Sequence, residues 1–498
     1  MKKVIILIIT LSLGISVLYS QNEVDALRYS YTMPLGTARY TSMSGSFGAL
    51  GADPSSVLFN PAGIGVYKTS DISLTPSFEI NSNSANYLDR TRNYDYFGIK
   101  FNHISYIGAL QIYNEDGTPP SNINFGFSYN KLNSFNESII IDGINKENSI
   151  TDYFAARANG IFYTDLEKTA YHALWSNLAY QQWLIDPVSP EDSISYISAF
   201  NGQYELRQKQ FIERRGNQGE YNFALSGSIQ HKLFLGMSLG IQNINYSEVK
   251  VLEEIDYYNI YTDFKSLRFQ EEYTTSGTGY NFKLGFLYSP VEWLRVGAGL
   301  HTPTIFNLRD NCKNSLQANF KEDKNKANTH TAEGDYEYQL KTPLRFNASA
   351  AGIFENILIN IDYELVNYAK AQLRVRDFLE YDNDTFYEEN KNIDHIYKAA
   401  SSIKIGGEYR EGAFRFRLGF GYYESPYKSN EINKSYNTLS YSAGLGIRFE
   451  DAYIDIGYSL LTTNSLYYNP YSGFGIESPL AKINKIQNRI AITLGLKF

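Results

Sequence analysis

The sequence is poor in the residues that build disulfides, metal sites and helical membrane spans. Its one cysteine, Cys312, cannot form an internal disulfide, so a fold held by disulfides is excluded. Beyond residue 20, no apolar run approaches the roughly 20 residues of a spanning helix, which excludes a helical membrane protein. The net charge of -8 argues against nucleic acid as a partner.

Motifs for catalysis are also missing. The six histidines are scattered, and the chain has no His-Glu-x-x-His, no Gly-x-Ser-x-Gly and no phosphate-binding loop. We therefore predict that the protein is not an enzyme and needs no cofactor or metal. Two alternatives are a lipase-type serine paired with His103 or His301 across strands, and haem ligation, although no two histidines lie close in sequence.

The first residues predict export. Lys2 and Lys3 precede an apolar run that begins at Val4 and ends before Ser20, which is typical of a signal peptide over residues 1–20. We expect the mature chain to begin at Gln21.

Aromatic residues and glycine are abundant, with 43 tyrosines, 30 phenylalanines and 37 glycines at a mean hydropathy of -0.35. In the segment 413–422, apolar residues alternate with arginine and glycine, so one face of a strand is apolar and the other is not. About fourteen such segments recur. Tight connections, such as 115–120 and 411–412, alternate with long polar ones, such as 82–94 and 142–218.

This pattern predicts an all-β fold, a transmembrane antiparallel β-barrel of about fourteen strands over residues 71–498. Short periplasmic turns and long extracellular loops are typical of barrels in the outer membrane of Gram-negative bacteria, and we expect the longest loop, 142–218, to be partly helical. A soluble all-β protein such as a propeller is the alternative, but nothing in such a fold requires short and long connections to alternate.

Residues 21–70 precede the first predicted strand and must lie at the periplasmic end of the barrel or inside it. They contain many small residues and turn signals, because glycine permits unusual backbone geometry and proline fixes φ. We predict a hatch in the lumen, with gate residues in the turn at Phe59, Asn60, Pro61, Ala62 and Gly63.

The hatch sequence TSMSGSFGALGADPSSVLFNPAGIG, at 41–65, resembles the N-terminal hatch of the long-chain fatty acid transporter (FadL) family of outer-membrane barrels. Segments 288–308 and 342–373 are similar to the branch found in Bacteroidota. The resemblance implies fourteen strands and inward transport of hydrophobic compounds, with lateral release through the wall after the hatch shifts. This chain departs from the family at residues 51–53, Gly-Ala-Asp, where an acidic pair is often seen.

The long loop supplies candidate ligand-binding residues. Tyr171, Leu174, Trp175 and Leu178 recur at helical spacing, and Trp183 follows them. An apolar face held outside the membrane suits first capture of a hydrophobic ligand, and it suits equally well packing against neighbouring loops.

The period-two register also predicts charges that face the lumen: Arg345, Asp362, Lys404, Glu408, Arg410, Arg415, Arg417, Arg448 and Asp455. We expect most of them to pair with luminal acids or with the hatch, and Arg410, Arg415 and Arg448 to anchor the hatch. Arg345 is the candidate for ligand binding, because arginine binds a carboxylate through paired hydrogen bonds.

The sequence therefore predicts a monomeric transporter of hydrophobic compounds such as long-chain fatty acids. Its expected partners are a fatty acid-like small molecule, outer-membrane lipids and the barrel-assembly machinery, which typically reads a terminal aromatic residue such as Phe498. The alternative is an assembly or protein-secretion carrier role, which some relatives of this barrel serve. A transporter needs an apolar pocket between hatch and wall, whereas a carrier needs an exposed loop surface for proteins.

Overall fold

Fourteen antiparallel strands close into a barrel, which confirms the predicted fold class. The computed structural model describes residues 23–112, 121–167, 171–200, 202–321, 330–376 and 385–498. The predicted signal peptide at 1–20 and the predicted turn at 115–120 lie outside the described residues. Among the helices of the described residues, none is long and apolar enough to cross a membrane.

We number the barrel strands along the chain, and four of them are interrupted once. Their bounds are β1 Asp71–Tyr87, β2 Arg90–Ile112, β3 Ser121–Ser134 with Glu137–Asn145, β4 Leu206–Ile229, β5 Leu233–Ile255, β6 Phe264–Val291, β7 Leu294–His301 with Ile305–Phe320, β8 His330–Lys341 with Arg345–Ile353, β9 Ile357–Asn367 with Gln372–Val375, β10 Ala399–Glu411, β11 Phe414–Tyr423, β12 Thr438–Arg448, β13 Ala452–Tyr468 and β14 Ala481–Lys497.

The helices lie before β1 and in the long connections. The α-helices are α1 Glu23–Ser30, α2 Ala38–Ser42, α3 Ile150–Ala158, α4 Tyr171–Gln181 and α5 Tyr387–Ile396. Short 3₁₀-helices form at Pro54–Leu58, Pro61–Val66, Tyr163–Asp165 and Tyr368–Lys370, and small hairpins pair Ile185–Pro187 with Tyr196–Ser198 and Ser472–Gly473 with Ile476–Glu477.

The barrel closes where the last strand pairs with the first. The β1–β14 ladder runs from Asp71 opposite Lys497 to Asn86 opposite Lys482. Closure leaves no open edge between β14 and β1, and an unpaired backbone group in lipid costs several kcal/mol.

Side chains on each strand divide between lipid and lumen. On β11, Phe414, Phe416 and Leu418 point outward and are exposed, whereas Arg417 points inward and is buried. We call the outward apolar side chains around the barrel the lipid-facing band; members from other strands include Phe97, Leu235, Ile359, Leu445 and Leu494. The strand alternation therefore gives an apolar outside and a polar inside, as in outer-membrane barrels.

Several strands run further than the sequence pattern predicts. The expected long loop at 82–94 is wrong, because β1 and β2 continue through it to a two-residue turn at Leu88 and Asp89, both with positive φ. Similarly, β4 begins at Leu206, inside the predicted loop 142–218. Beyond the lipid-facing band, the outward residues are polar. The alternation of apolar and polar residues therefore disappears there, although the strands remain paired.

Deleting Ala481–Lys497 should prevent membrane assembly, because both β13 and β1 would then present unpaired edges to lipid. Heat-modifiable migration in gel electrophoresis measures assembly. The control Leu494→Ala keeps the backbone ladder and should migrate as wild type. Normal migration of the deletion variant would contradict the closure.

Candidate functional site

The N-terminal segment, residues 23–70, lies inside the barrel against inward-facing side chains. At its start, the Tyr397 hydroxyl donates to the Glu23 carbonyl at 3.1 Å, and the Arg28 guanidinium lies 4.3 Å from the centroid of the Tyr246 ring. Further on, the Leu35 N–H donates to the Lys131 carbonyl of β3 at 2.7 Å. The segment then contacts β11–β14 through α2 and β2–β6 through its two 3₁₀-helices.

Two side-chain caps shape the predicted gate turn and the helix before it. Asp53 Oδ1 accepts from the Ser55 N–H at 2.9 Å, and Asn60 Oδ1 accepts from the Ala62 N–H at 3.1 Å. Each cap is followed by proline, at Pro54 and Pro61, whose fixed φ suits the first helical position. The Asn-Pro-Ala-Gly signature thus forms a capped 3₁₀ turn.

Glycines on the inner face of the wall let this turn approach the strands closely. A Cβ atom on Gly285 of β6 would lie 2.2 Å from Asn60 Oδ1, and one on Gly236 of β5 would lie 2.4 Å from the Ala62 nitrogen. A Cβ atom on Gly299 of β7 would lie 2.6 Å from the Phe59 carbonyl oxygen. Any side chain at these positions would displace the turn.

Hydrogen bonds fix the turn to the same strands. Asn60 Nδ2 donates to the Gly48 carbonyl at 2.7 Å and to the Phe286 carbonyl at 2.9 Å. The Phe59 carbonyl accepts from Asn347 Nδ2 at 2.7 Å and bonds to His301 Nε2 at 3.0 Å. All five predicted gate residues, Phe59, Asn60, Pro61, Ala62 and Gly63, are buried between segment and wall.

The opposite side of the N-terminal segment is held by charge. Arg39 Nε donates to Glu408 Oε2 at 2.9 Å, and Arg39 Nη1 donates to the Ala52 carbonyl at 2.7 Å. Glu408 also accepts from Arg417, at 2.7 Å, and Arg417 donates to Asp455 at 2.7 Å. A chain of buried ion pairs therefore ties the segment to β10, β11 and β13.

The expectation that three wall arginines anchor the segment is wrong. Arg410 pairs with Glu408 of the same strand, and Arg448 of β12 pairs with Asp455 of β13. Arg415 donates to two carbonyls of its own turn. One anchoring arginine, Arg39, belongs to the segment itself, and reasoning from the turns of the wall missed it. From the wall, Asp362 binds the Phe47 and Gly48 N–H groups and Arg295 donates to the Leu50 carbonyl at 2.5 Å.

A polar cavity of about 50 Å³ lies beside the gate turn. Its charged lining consists of Lys283, Arg345, Lys404, Glu220 and Glu364. Arg345 Nη1 donates to Glu364 Oε1 at 2.9 Å and Arg345 Nη2 donates to the Ser30 carbonyl, so the predicted ligand-binding arginine reaches the lumen but already has partners.

Of the two histidines considered for a serine–histidine pair, one lies beside a backbone carbonyl and the other lies beside a serine. His301 Nε2 bonds to the Phe59 carbonyl. His103 Nδ1 bonds to Asn130 Oδ1 at 2.7 Å, and its Nε2 lies 3.0 Å from Ser105 Oγ. Both rings lie in the hydrogen-bond network of the lumen.

An apolar layer lies above the polar cavity, toward the extracellular end. Tyr29 of α1 and Tyr246 of β5 meet edge to face, with ring centroids 6.2 Å apart. The buried members of this apolar layer are Ala26, Tyr29, Ile244, Tyr246, Phe306, Leu308, Tyr338, Leu340, Val366, Tyr368, Ala371, Leu373, Phe386, Ile393, Tyr397 and Ala400.

The long loop between β3 and β4 forms a cap with its own core, which we call the cap cluster; it includes Phe154, Leu178 and Leu184 with Phe269 of β6 and Leu316 of β7. Trp175 packs on Phe269 with centroids 5.3 Å apart, whereas Trp183 is 53% exposed. Tyr171 and Leu174 lie on α4, but their side chains lie outside the described residues. Two of the five predicted capture residues therefore belong to one core, and a third lies on the cap surface.

The hydrogen-bond ladder between β2 and β3 has a gap, although Arg92 of β2 pairs with Asp142 of β3 at 2.6 Å beyond it. Their ladder covers only His103–Ile112 of β2 among the described residues. Beyond it β3 turns inward, so that Asn81 Nδ2 and Asn83 Nδ2 of β1 donate to the carbonyls of Asn136 and Ser138, at 2.5 and 2.9 Å. Outward Phe97 places this gap within the lipid-facing band.

A closed barrel of fourteen strands with a lipid-facing band is an integral outer-membrane protein. Residues 204–477, more than half of the chain, match the family described as outer membrane protein transport protein (OMPP1/FadL/TodX), and the chain belongs to this family. The family consists of transporters of hydrophobic compounds and not of enzymes. No curated protein matches the chain in sequence.

Solved structures show the same fold at low sequence identity. A FadL homologue of Pseudomonas aeruginosa is 11% identical with a TM-score of 0.58, over 94% of this chain and 100% of that one. The toluene transporter TodX of Pseudomonas putida is 11% identical with a TM-score of 0.50, over 93% and 98%.

A buried carboxyl group lies where the cap joins the barrel. Glu254, near the extracellular end of β5 and beyond the lipid-facing band, accepts from the Ile150 N–H at 3.0 Å, from Ser149 Oγ at 2.5 Å and from Gln208 Nε2 at 2.6 Å. Burial raises its pKa from 4.5 to about 7, because desolvation outweighs these donors. The start of α3 is therefore attached to the barrel through a titrating group.

The attachment of the cap should weaken as the pH rises. Because the folded-state pKa of Glu254 is raised, its contribution to stability is complete below about pH 4.5 and is lost as the pH rises to about 7. Hydrogen exchange of the α3 amides, corrected for intrinsic rates, should show less protection at pH 8 than at pH 5. Glu254→Gln should remove this difference, and an unchanged pH dependence in that variant would contradict the assignment.

Proposed function

We propose that the protein carries long-chain fatty acids, or amphipathic compounds like them, across the outer membrane, with the N-terminal segment as a hatch. The supporting observation is the order of layers along one inner face of β5. Leu252 lies in the cap cluster, Ile244 and Tyr246 in the apolar layer, Gln242 at the polar cavity and Gly236 at the gate turn. Lys250 and Glu248, which pair at 3.1 Å, lie on the same face between the cap cluster and the apolar layer, so a ligand that descends this face passes one ion pair before it reaches the apolar layer and the polar cavity.

The polar cavity suits an anionic head group. Three cationic side chains, Lys283, Arg345 and Lys404, face two carboxylates, Glu220 and Glu364. A bound carboxylate would balance these charges, and arginine can bind it through paired hydrogen bonds. Lys404 lies 3.7 Å from Glu364 and also interacts with Asp362, so an anionic head group would compete with these carboxylates for the cation. The alkyl chain of the ligand would lie in the apolar layer above.

The closed lumen implies that the hatch moves. A cavity of about 50 Å³ is far below the roughly 300–1,000 Å³ of small-molecule sites, so passage requires displacement of the N-terminal segment. The gap between β2 and β3 then provides a lateral exit at the level of the lipid. Capture would begin at the cap, at Tyr171, Leu174, Trp175, Leu178 and Trp183.

The purified protein should bind a long-chain fatty acid more tightly than the alcohol of equal length. The double substitution Arg345→Gln and Glu364→Gln removes the ion pair as a unit. It should reduce the preference for the acid roughly tenfold, because the loss of one hydrogen bond to a charged group changes affinity by about that factor. The control is the pair Arg309→Gln and Asp335→Asn, which removes an exposed ion pair outside the lumen. Calorimetry measures both ligands, and equal affinity of the wild type for acid and alcohol would contradict an anionic head-group site.

Displacing the gate turn should open the barrel. Gly285→Val places a side chain where Asn60 lies, so conductance in planar bilayers should rise severalfold while assembly is retained. Gly407→Val is the matched control, since its nearest neighbour across the new Cβ is 3.7 Å away. Unchanged conductance of Gly285→Val would argue against a gate. Intact fatty acid uptake with impaired protein secretion in the same variant would favour the carrier alternative.

A further inference from the structure

An apolar groove of about 690 Å³ lies on the outside of the barrel, across β4 to β8. Its large lining residues are outward members of the lipid-facing band: Leu225, Leu235, Met237, Leu284, Phe286, Leu300 and Phe346. Gly227 and Ala298, which also line it, have small or no side chains at positions where these neighbours are large. The band is therefore indented at this place.

The groove lies directly behind the gate turn. Ser226 pairs with Gly236, Gly236 with Gly285, and Gly285 with Gly299, so these residues form one row across four strands. Their outer side lines the groove, and the inner side of the three glycines contacts Phe59, Asn60 and Ala62 as described above. Only strand backbone separates the groove from the turn.

We propose that this groove binds the acyl chain of an outer-membrane lipid. Its rim is continuous with the lipid-facing band, so lipid chains are the molecules that reach it. The volume falls within the roughly 300–1,000 Å³ typical of small-molecule sites, and water in an apolar groove would be unfavourable.

The lining of the groove is almost entirely apolar, so it favours an acyl chain over a polar head group. Ser226 is the one polar residue among the described residues that line it, and its side chain points into the lumen, where Oγ lies 3.3 Å from the Ala62 carbonyl. None of the described lining residues is charged. A resident acyl chain would support the thin wall from outside, opposite the turn, and this lipid is distinct from the transported compound.

The natural methionine at position 237 allows a crosslinking test that does not change the size of the side chain. Replacing methionine by its diazirine analogue and irradiating native outer membranes should attach a lipid to the peptide that contains Met237. The same analogue at Leu445→Met, on the far side of the barrel, should give several times less adduct. Equal labelling at the two positions would overturn the site. Adducts formed only with added fatty acid would identify a position of the transported ligand, which also overturns a resident lipid.

Filling the groove gives a second measurement. Ala298→Phe, or the smaller change Ala298→Met, should reduce the lipid that stays bound in native mass spectrometry after mild detergent extraction by at least severalfold. Ala443→Phe, an outward alanine on β12 away from the groove, should retain it. Heat-modifiable migration confirms that each variant is assembled, and full lipid retention in both assembled Ala298 variants would overturn the proposal.

Discussion

The structure depends on one constraint, which is that the backbone of a wall in lipid must satisfy its hydrogen bonds within the sheet, and the gap in the β2–β3 ladder is an exception to it. Pairing of β14 with β1 meets this constraint at the closing edge. Because pairing fixes the backbone, the remaining freedom lies in side chains that alternate between lipid and lumen. The lumen side of a strand can then carry a series of environments, as β5 does from Leu252 to Gly236, while the lipid side stays apolar.

The N-terminal segment is held differently on its two sides. Toward β10–β13, Arg39 joins the buried chain of Glu408, Arg417 and Asp455, and breaking a buried ion pair leaves uncompensated charge at a cost of about 3–5 kcal/mol. Toward β5–β7, the turn at Asn60 rests on glycines through close contacts and a few neutral hydrogen bonds, and Arg295 of β7 binds the neutral carbonyl of Leu50 without a carboxylate partner in the segment. The glycine side therefore separates more readily, so a shift of the segment would pivot about the arginine side.

The sequence was sufficient for the barrel and its strand number, because lipid imposes hydrophobic alternation on every strand that crosses it, and the family followed from the resemblance of the segment at 41–65. The prediction of strand ends was wrong beyond the lipid-facing band, for example at 82–94. Most residues there are polar, and the strands nevertheless remain paired. The predicted turn at Asn60 rested on local chemistry, and the structure has a 3₁₀ turn there whose side-chain cap was not predicted. Arg39 and the glycines that receive the turn were missed because their roles arise from contacts between residues distant in sequence; glycine at inward positions of successive strands was the available signal.

The row of inward glycines also bears on how the barrel assembles. A slip of one residue between β5 and β6 would reverse the faces of the strand that moved, so that Leu235 or Leu284 would point at Pro61 in place of glycine. The N-terminal segment can dock only when neighbouring strands are in their native register. Docking therefore adds its binding free energy to the correctly paired barrel alone, and the segment acts as a template that discriminates against misregistered assembly.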